Sequence, residues 1–318
     1  MPKKNRNYAT YDSLMRHMRK SGIDITGSNQ KRYLLLNGYF HGYKGYRYCR
    51  EPNNRLPFTT FNQIRLVIEF DEAIKACMYS PLMKLETAIK SIACDRIVTT
   101  IKSDSFAIAY DKAMSNTDRL KRLKVRDRIY SEMTKRYGEN SKVVSYYYNQ
   151  DEYMPLWAIF EELMLGDVSI FIEALHPHLK LSISQELGIP ISYNTDGELL
   201  PKIILGVKDF RNAIAHNKVV FDGRYMGFKK RNSICSMLET STGIQGIRFQ
   251  SPIDDIILVI FLMKNLKFSK VQMHGIVTVL IEGVTRLYNR FDFDLYKQII
   301  PADTLTKLKS LKKFISIK

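Results

Sequence analysis

The chain is poor in the residues that staple small folds or hold metals, with four cysteines and six histidines in 318 residues. Cys49, Cys77, Cys94 and Cys235 stand far apart, with no CxxC pair and no histidine at zinc-ligand spacing. That excludes a metal knuckle and a disulfide framework, and reduced thiols in a cytosolic protein fit best. Long apolar runs are missing too. The longest, IILVIFLM at 256–263, falls far short of the roughly 18 residues that would span a bilayer. The N-terminal MPKKNRNYATYD lacks the apolar stretch of a secretory signal, so a cytoplasmic protein without a membrane partner is expected. No glycine-rich phosphate loop, GxSxG elbow or paired metal-binding carboxylate motif is present. The commonest NTPase, hydrolase and two-metal nuclease readings fall away, and neither a metal nor a cofactor is called for.

Acid is also scarce. Lys and Arg outnumber Asp and Glu by 49 to 32, a net charge of +17. A surplus of that size points to a polyanionic partner such as RNA, DNA or an anionic membrane. It is unevenly spread: the first 50 residues hold 11 basic side chains against Asp12 and Asp24, and the runs DRLKRLKVRDR (118–128) and KLKSLKKF (307–314) are basic as well. Each run alone fits a solvated helix face, whereas the three together favour a basic surface. Arg119, Lys121, Arg122 and Lys124 in the second run are candidates for RNA phosphates.

What is present is helical periodicity and a 45% hydrophobic content, enough for a sizeable core. The pattern predicts a mainly α fold in three parts. These are a basic helical N-terminal region (1–55), a helical domain (56–225) and a helical C-terminal extension (226–318). Two short helices are expected in 9–40, followed by the turn-rich NGYFHGYKGYRY. There Tyr39, Tyr43, Tyr46 and Tyr48 stand beside Lys44, Arg47 and Arg50, and either stack on bases and bind phosphate or anchor a loop in the core. Thr59 or Thr60 starts a helix to about Tyr79, and Ser80-Pro81 reads as a fresh helix start. In that second helix Leu82, Leu85, Ile89 and Ile92 form an apolar stripe, with Glu86 and Lys90 beside it four apart. A basic helix over 118–136 leads into a polar, aromatic linker, VSYYYNQDEYMP (144–155). Helices follow around 156–163, between Pro177 and Pro190, over 199–216, at about 252–266 and at 270–289. A small β-hairpin is expected near 231–250, where Gly, Ser and β-branched residues gather.

The helix over 199–216 carries KDFRNAIAHNK (208–218), which places Arg211, Asn212 and His216 near a helix end. Arg offers phosphate a planar fork of donors, and His exchanges a proton near neutral pH. The bare pattern of an Arg followed by a His after four to six intervening residues is weak, since a chain of this composition supplies about one such pair by chance. Ile203, Val207, Phe210 and Ile214 recur at helical spacing and define the buried face. Arg211 lies on its margin, while Asn212 and His216 lie nearly opposite it. Arg211 and His216 are about 140° apart on the wheel. Either the helix loosens at its end so that His216 swings round, or a second subunit packs antiparallel and completes a shared cleft. A purely structural role has its own form: Arg211 pairs with an acid such as Asp209 or Glu86, and His216 caps the helix.

These residues sit among a wider set of blocks in a characteristic order: LLLNGYFHGY (34–43), IEFDEAIK (68–75), MKLETAIKSIACDR (83–96), PLWAIFEELMLGDVS (155–169) and RNAIAHN (211–217). In them the chain resembles the AbiD/AbiF-like abortive infection proteins of bacteria, members of the HEPN superfamily of α-helical ribonucleases and RNA-binding domains. The resemblance covers most of 10–225, and Lys75 stands where the family tends to have Arg. It implies a HEPN-type helical bundle in the bacterial cytoplasm, homodimerisation across the motif helices, and metal-independent RNA cleavage. On that reading Arg211, His216 and Asn212 are catalytic, with Glu86, Lys90 and Asn217 in support and Lys44 and Arg47 joining the RNA-binding set.

Three functions compete. The first is a ribonuclease effector of phage defence, or a toxin, held inactive until infection or until a protein or RNA antitoxin is lost. The second is a non-catalytic RNA-binding module, and the third a DNA-binding regulator that uses the N-terminal helices.

Overall fold

A computed structural model describes residues 10–116, 118–225 and 232–317. Among these residues the fold is mainly α-helical, with no β-sheet. The helices in chain order are α1 (Tyr11–Lys20), α2 (Ser28–Gly42), α3 (Phe61–Ile101), α4 (Phe106–Lys112) and α5 (Arg119–Gly138). Then come α6 (Lys142–Asn149), α7 (Leu156–Glu162), α8 (Leu165–Glu173), α9 (Pro177–Glu186) and α10 (Leu199–Ala215). The last five are α11 (Asn232–Thr242), α12 (Pro252–Asn265), α13 (Lys270–Arg290), α14 (Phe293–Ile299) and α15 (Thr304–Ser316). Many begin where a short polar side chain satisfies a free backbone N–H. Thr10, Thr60, Asp118, Ser141, Ser269 and Asp292 each accept from the N–H three residues on.

The spine is α3, a 41-residue helix about 60 Å long. It runs straight through Ser80-Pro81, where the sequence predicts a new start. An interior proline costs a helix roughly 3 kcal/mol. Here Ile74, Met78, Pro81, Leu82 and Leu85 are all buried on one face, and this continuous packing on both sides of the proline outweighs that cost. Helices α7, α8, α9 and α10 pack on α3, as do α12 and α13. At Gly283 a Cβ would come within 2.7 Å of the Phe70 ring, so glycine is what lets α13 approach α3 this closely.

Packed among α3, α10 and α15 lies α12, in which every residue from Pro252 to Met263 is buried, as befits a helix apolar on all sides. Its two buried acids are answered individually. Asp254 receives Lys307 Nζ at 2.8 Å and the Arg248 N–H at 3.1 Å, and Asp255 receives the Tyr225 hydroxyl at 2.8 Å.

The hairpin expected near 231–250 does not form. Residue 231 lies outside the described residues, and 232–242 is α11, because Ile234, Met237 and Leu238 recur at helical spacing and are buried. The segment after it doubles back through positive-φ Gly243 and Gly246, and the Ile247 N–H donates to Glu239 Oε1 at 2.9 Å. Part of the 144–155 linker is helical as well. Ser141 caps α6, and Val144 is its buried anchor. Two further C-terminal helices, α14 and α15, add to the fold; α15 is held by buried Leu308, Leu311, Phe314 and Ile315 against α12 and α13.

One buried carboxylate ties distant segments to the spine. Asp71 of α3 is fully buried. Its Oδ1 accepts the N–H groups of Val220 and Phe221, both at 2.7 Å, and its Oδ2 accepts the Tyr46 hydroxyl at 2.8 Å and pairs with Lys75 Nζ at 2.6 Å. Asp71→Ala should therefore lower the unfolding free energy by about 3 kcal/mol or more in urea titration. A midpoint within error of the parent's would show that the hub is dispensable.

Candidate functional site

The faces of α10 fall as the periodicity requires: Ile203, Val207, Phe210 and Ile214 are buried. Arg211 and Asn212 are half-buried, and His216 and Asn217 are exposed. Arg211 reaches across to α3. Its Nη2 donates to Glu86 Oε1 at 2.6 Å, and its Nη1 donates to Asn212 Oδ1 at 2.7 Å. The Nε of Arg211 is buried with no partner among the described residues. Lys90, one turn along α3, puts Nζ 3.4 Å from the same Glu86 oxygen and donates to the Glu161 carbonyl at 3.5 Å.

Arg211, Asn212, Glu86 and Lys90 thus form one cluster. It holds two cations and one carboxylate, leaving a single net positive charge. Asp209 pairs with Lys208 at 2.9 Å.

His216 is not among these contacts. The helix does not loosen ahead of it: the His216 N–H still donates to Asn212 O at 3.0 Å, and the chain leaves the helix at Asn217, whose φ is +50°. Asn217 has partners of its own. Its Oδ1 accepts Lys75 Nζ at 2.9 Å, and Lys75 is the cation paired with buried Asp71. His41, on the N-terminal segment, also lies in the field of Lys75; burial, and then that charge, push its imidazole below the usual histidine range. Lys75 and Asp71 carry no assigned role in the sequence reading, although their i,i+4 spacing on a helix is visible there.

The histidine at the end of α10 is therefore located from α3, through two ionic side chains and the backbone that follows it. The sequence profile of a known family matches residues 31–222, about three-fifths of the chain. The chain belongs to the Abi-like protein family. No curated protein and no solved structure matches it. The matched span of this Abi-like protein takes in Tyr46, Asp71, Lys75, Glu86, Arg211, His216 and the Val220-Phe221 anchor. Family membership points to abortive infection, a phage-defence response.

The other expected sites are dispersed. Tyr43 and Tyr46 are fully buried, so they anchor the loop after α2 rather than stack on bases. Gly45 between them is tightly packed: a Cβ there would meet Val219 at 2.9 Å. Lys44 is exposed, and Arg47 lies over the Tyr48 ring at 5.5 Å. On α5, Lys121 is held by Glu173 at 3.1 Å, and Arg122 donates to the Tyr110 carbonyl at 2.9 Å. Arg119 and Lys124 are exposed. Three of the four thiols offer no rival nucleophile, since burial pushes Cys49 and Cys94 up to about 11 and Cys77 up to about 12. Among the described residues no group of three His, Cys, Asp or Glu side chains is arranged around a common metal position.

Removing Glu86 should leave Arg211 and Lys90 facing each other uncompensated. Thermal or urea melts of Glu86→Ala are expected to show a loss of about 2 kcal/mol. A double-mutant cycle with Arg211→Ala should return a coupling of about 1–2 kcal/mol. Additive losses would mean that the pair does not interact in solution.

Proposed function

We propose that this Abi-like protein is a metal-independent endoribonuclease of the HEPN type, acting in phage defence or as a toxin. The observation that carries the reading is the state of Arg211. Its two Nη groups are oriented by Glu86 and Asn212 while its buried Nε–H has no acceptor. A buried donor without a partner is costly, and a phosphate oxygen would satisfy it. The cluster's net positive charge and the +17 of the whole chain favour the same ligand.

In the proposed reaction the 2′-hydroxyl oxygen of RNA attacks the adjacent phosphorus, its proton passing to a general base. The bond to the 5′-oxygen breaks, and a general acid protonates that leaving oxygen. The products are a 2′,3′-cyclic phosphate and a 5′-hydroxyl. His216 serves as acid or base, a role typically worth about 10²- to 10⁴-fold. Arg211 stabilises charge on the phosphoryl oxygens, and Asn212 orients Arg211 or a phosphate oxygen. Because α10 stays helical up to His216, the two groups point apart on one chain. A homodimer in which one protomer's Arg211 faces the other's His216 supplies the shared cleft. Activity of this kind in the cytoplasm needs a restraint, supplied by an antitoxin protein or RNA.

A non-catalytic RNA-binding module is the second reading. It is favoured by the Glu86 contact, which compensates Arg211, and by the position of His216 at the helix C-cap.

Incubation of the full chain with RNA in EDTA, followed by end-group mapping, separates the two. Cyclic phosphate ends are expected from the parent, with at least about a 10²-fold rate loss in both Arg211→Ala and His216→Ala. A strand carrying 2′-deoxyribose throughout should survive intact. Undiminished cleavage by either variant, or cleavage of the deoxy strand, would sink the mechanism. RNA binding by the parent with no cleavage would favour the binding module.

A further inference from the structure

Helix α5 carries exposed Arg119, Leu123, Arg126, Tyr130 and Tyr137 at spacings of four, three, four and seven. On a helical wheel they fall within a band of about 60°, a single stripe in which cations and large rings share one face. Beside Tyr130 opens a cleft of about 260 Å³ lined by Phe106, Tyr130, Tyr148 and Tyr153 with Met133 and Met154. Its size lies just under the roughly 300–1,000 Å³ of drug-sized ligand sites, the scale of one planar ring system.

The walls are held in place. Tyr130 meets Phe106 edge-on at 5.9 Å, Tyr148 packs on Tyr137 at 6.0 Å, and the Tyr153 hydroxyl donates to Asp104 at 3.1 Å. These tyrosines are nevertheless about half exposed, which is unusual for rings with so apolar a pocket beside them. Glu152 also lines the cleft. Its carboxylate repels phosphate, so a base enters the cleft and the backbone stays outside, on the arginines.

We propose that the cleft and the α5 stripe bind single-stranded RNA, with one nucleobase stacked among Tyr130, Tyr148 and Tyr153 and the backbone phosphates on Arg119 and Arg126. Every base has a π face, so stacking of this kind tolerates sequence, and the arginines supply the backbone charge. The proposal rests on RNA as the ligand of this protein. It also connects to the Arg211 cluster. At the C-terminal end of α7, Arg136 of α5 donates to the Glu162 carbonyl at 3.4 Å, and Lys90 of the cluster donates to the neighbouring Glu161 carbonyl at 3.5 Å. The Tyr137 end of the stripe and the cluster therefore flank the same helix terminus, and a strand held on α5 is delivered toward it.

The test uses the full chain carrying His216→Ala, so that the probe is not consumed. Fluorescence anisotropy compares an unstructured oligoribonucleotide of about 12 nucleotides with an abasic strand of the same length and charge. The base-bearing strand should bind about tenfold more tightly or better. The pair Tyr130→Ala with Tyr148→Ala should erase that preference and keep the salt-dependent binding of the abasic strand. The pair Tyr130→Phe with Tyr148→Phe should retain it, and circular dichroism melts check that all variants fold.

A parent that binds both strands equally would assign the cleft to a protein side chain instead and overturn the proposal, as would an alanine pair that keeps the preference. A parent that binds neither strand overturns it together with the RNA reading. If the preference is present but wild-type protein leaves RNA uncut, the cleft stands and the ribonuclease reading alone falls.

Discussion

A charged carboxylate with no solvent contact dictates much of this molecule. Asp71 is accommodated inside the core only because its lone pairs are engaged, since burying a carboxylate without partners is costly. The partners come from three places in the chain: the turn that carries Tyr46, the backbone after α10 at Val220 and Phe221, and Lys75 on the same helix. Satisfying one acid thus pulls the N-terminal turn and the exit of α10 onto α3. Lys75, fixed by Asp71, holds Asn217, the neighbour of His216. The position of the candidate histidine is inherited from an ion buried in another helix.

A second acid, Glu86, works by the same electrostatics with a different stoichiometry. It faces two cations rather than one, so the Arg211 cluster keeps a positive charge in a half-buried setting, where charge is poorly screened. Elsewhere individual basic side chains are paired internally. Arg128 is held by Asp167, and Arg136 by Glu132 and Glu162. The +17 is what is left once every acid is matched, and on α5 part of it shares a face with tyrosines.

The elements most legible in the sequence were those marked by a clear apolar period or by a helix-start residue. Helix α10 shows Ile203, Val207, Phe210 and Ile214 at steps of four, three and four; α12 and α13 begin at Ser-Pro and Ser signals, and all three fall where expected. Pro81 misled because a local stop signal was set against burial on both sides of it, and burial won. The hairpin near 231–250 misled because β-branched and glycine content was read without the Ile234, Met237 and Leu238 spacing. Tyr43 and Tyr46 have the composition of a stacking surface, yet both are buried, Tyr43 beside the Tyr39 ring and Tyr46 stacked on Phe221 with its hydroxyl on Asp71. Composition does not say which side of a tyrosine faces water.

The sequence by itself determined the helical class, the family, and the local fact that Arg211 and His216 diverge on one helix, since each follows from period, order and spacing along the chain. Tertiary structure alone decided that Glu86, 125 residues upstream, is the acid that meets Arg211, and that Lys75 holds the Asn217 side chain. Pairings of this kind depend on which helix faces come together, and only the packing of α10 against α3 sets that.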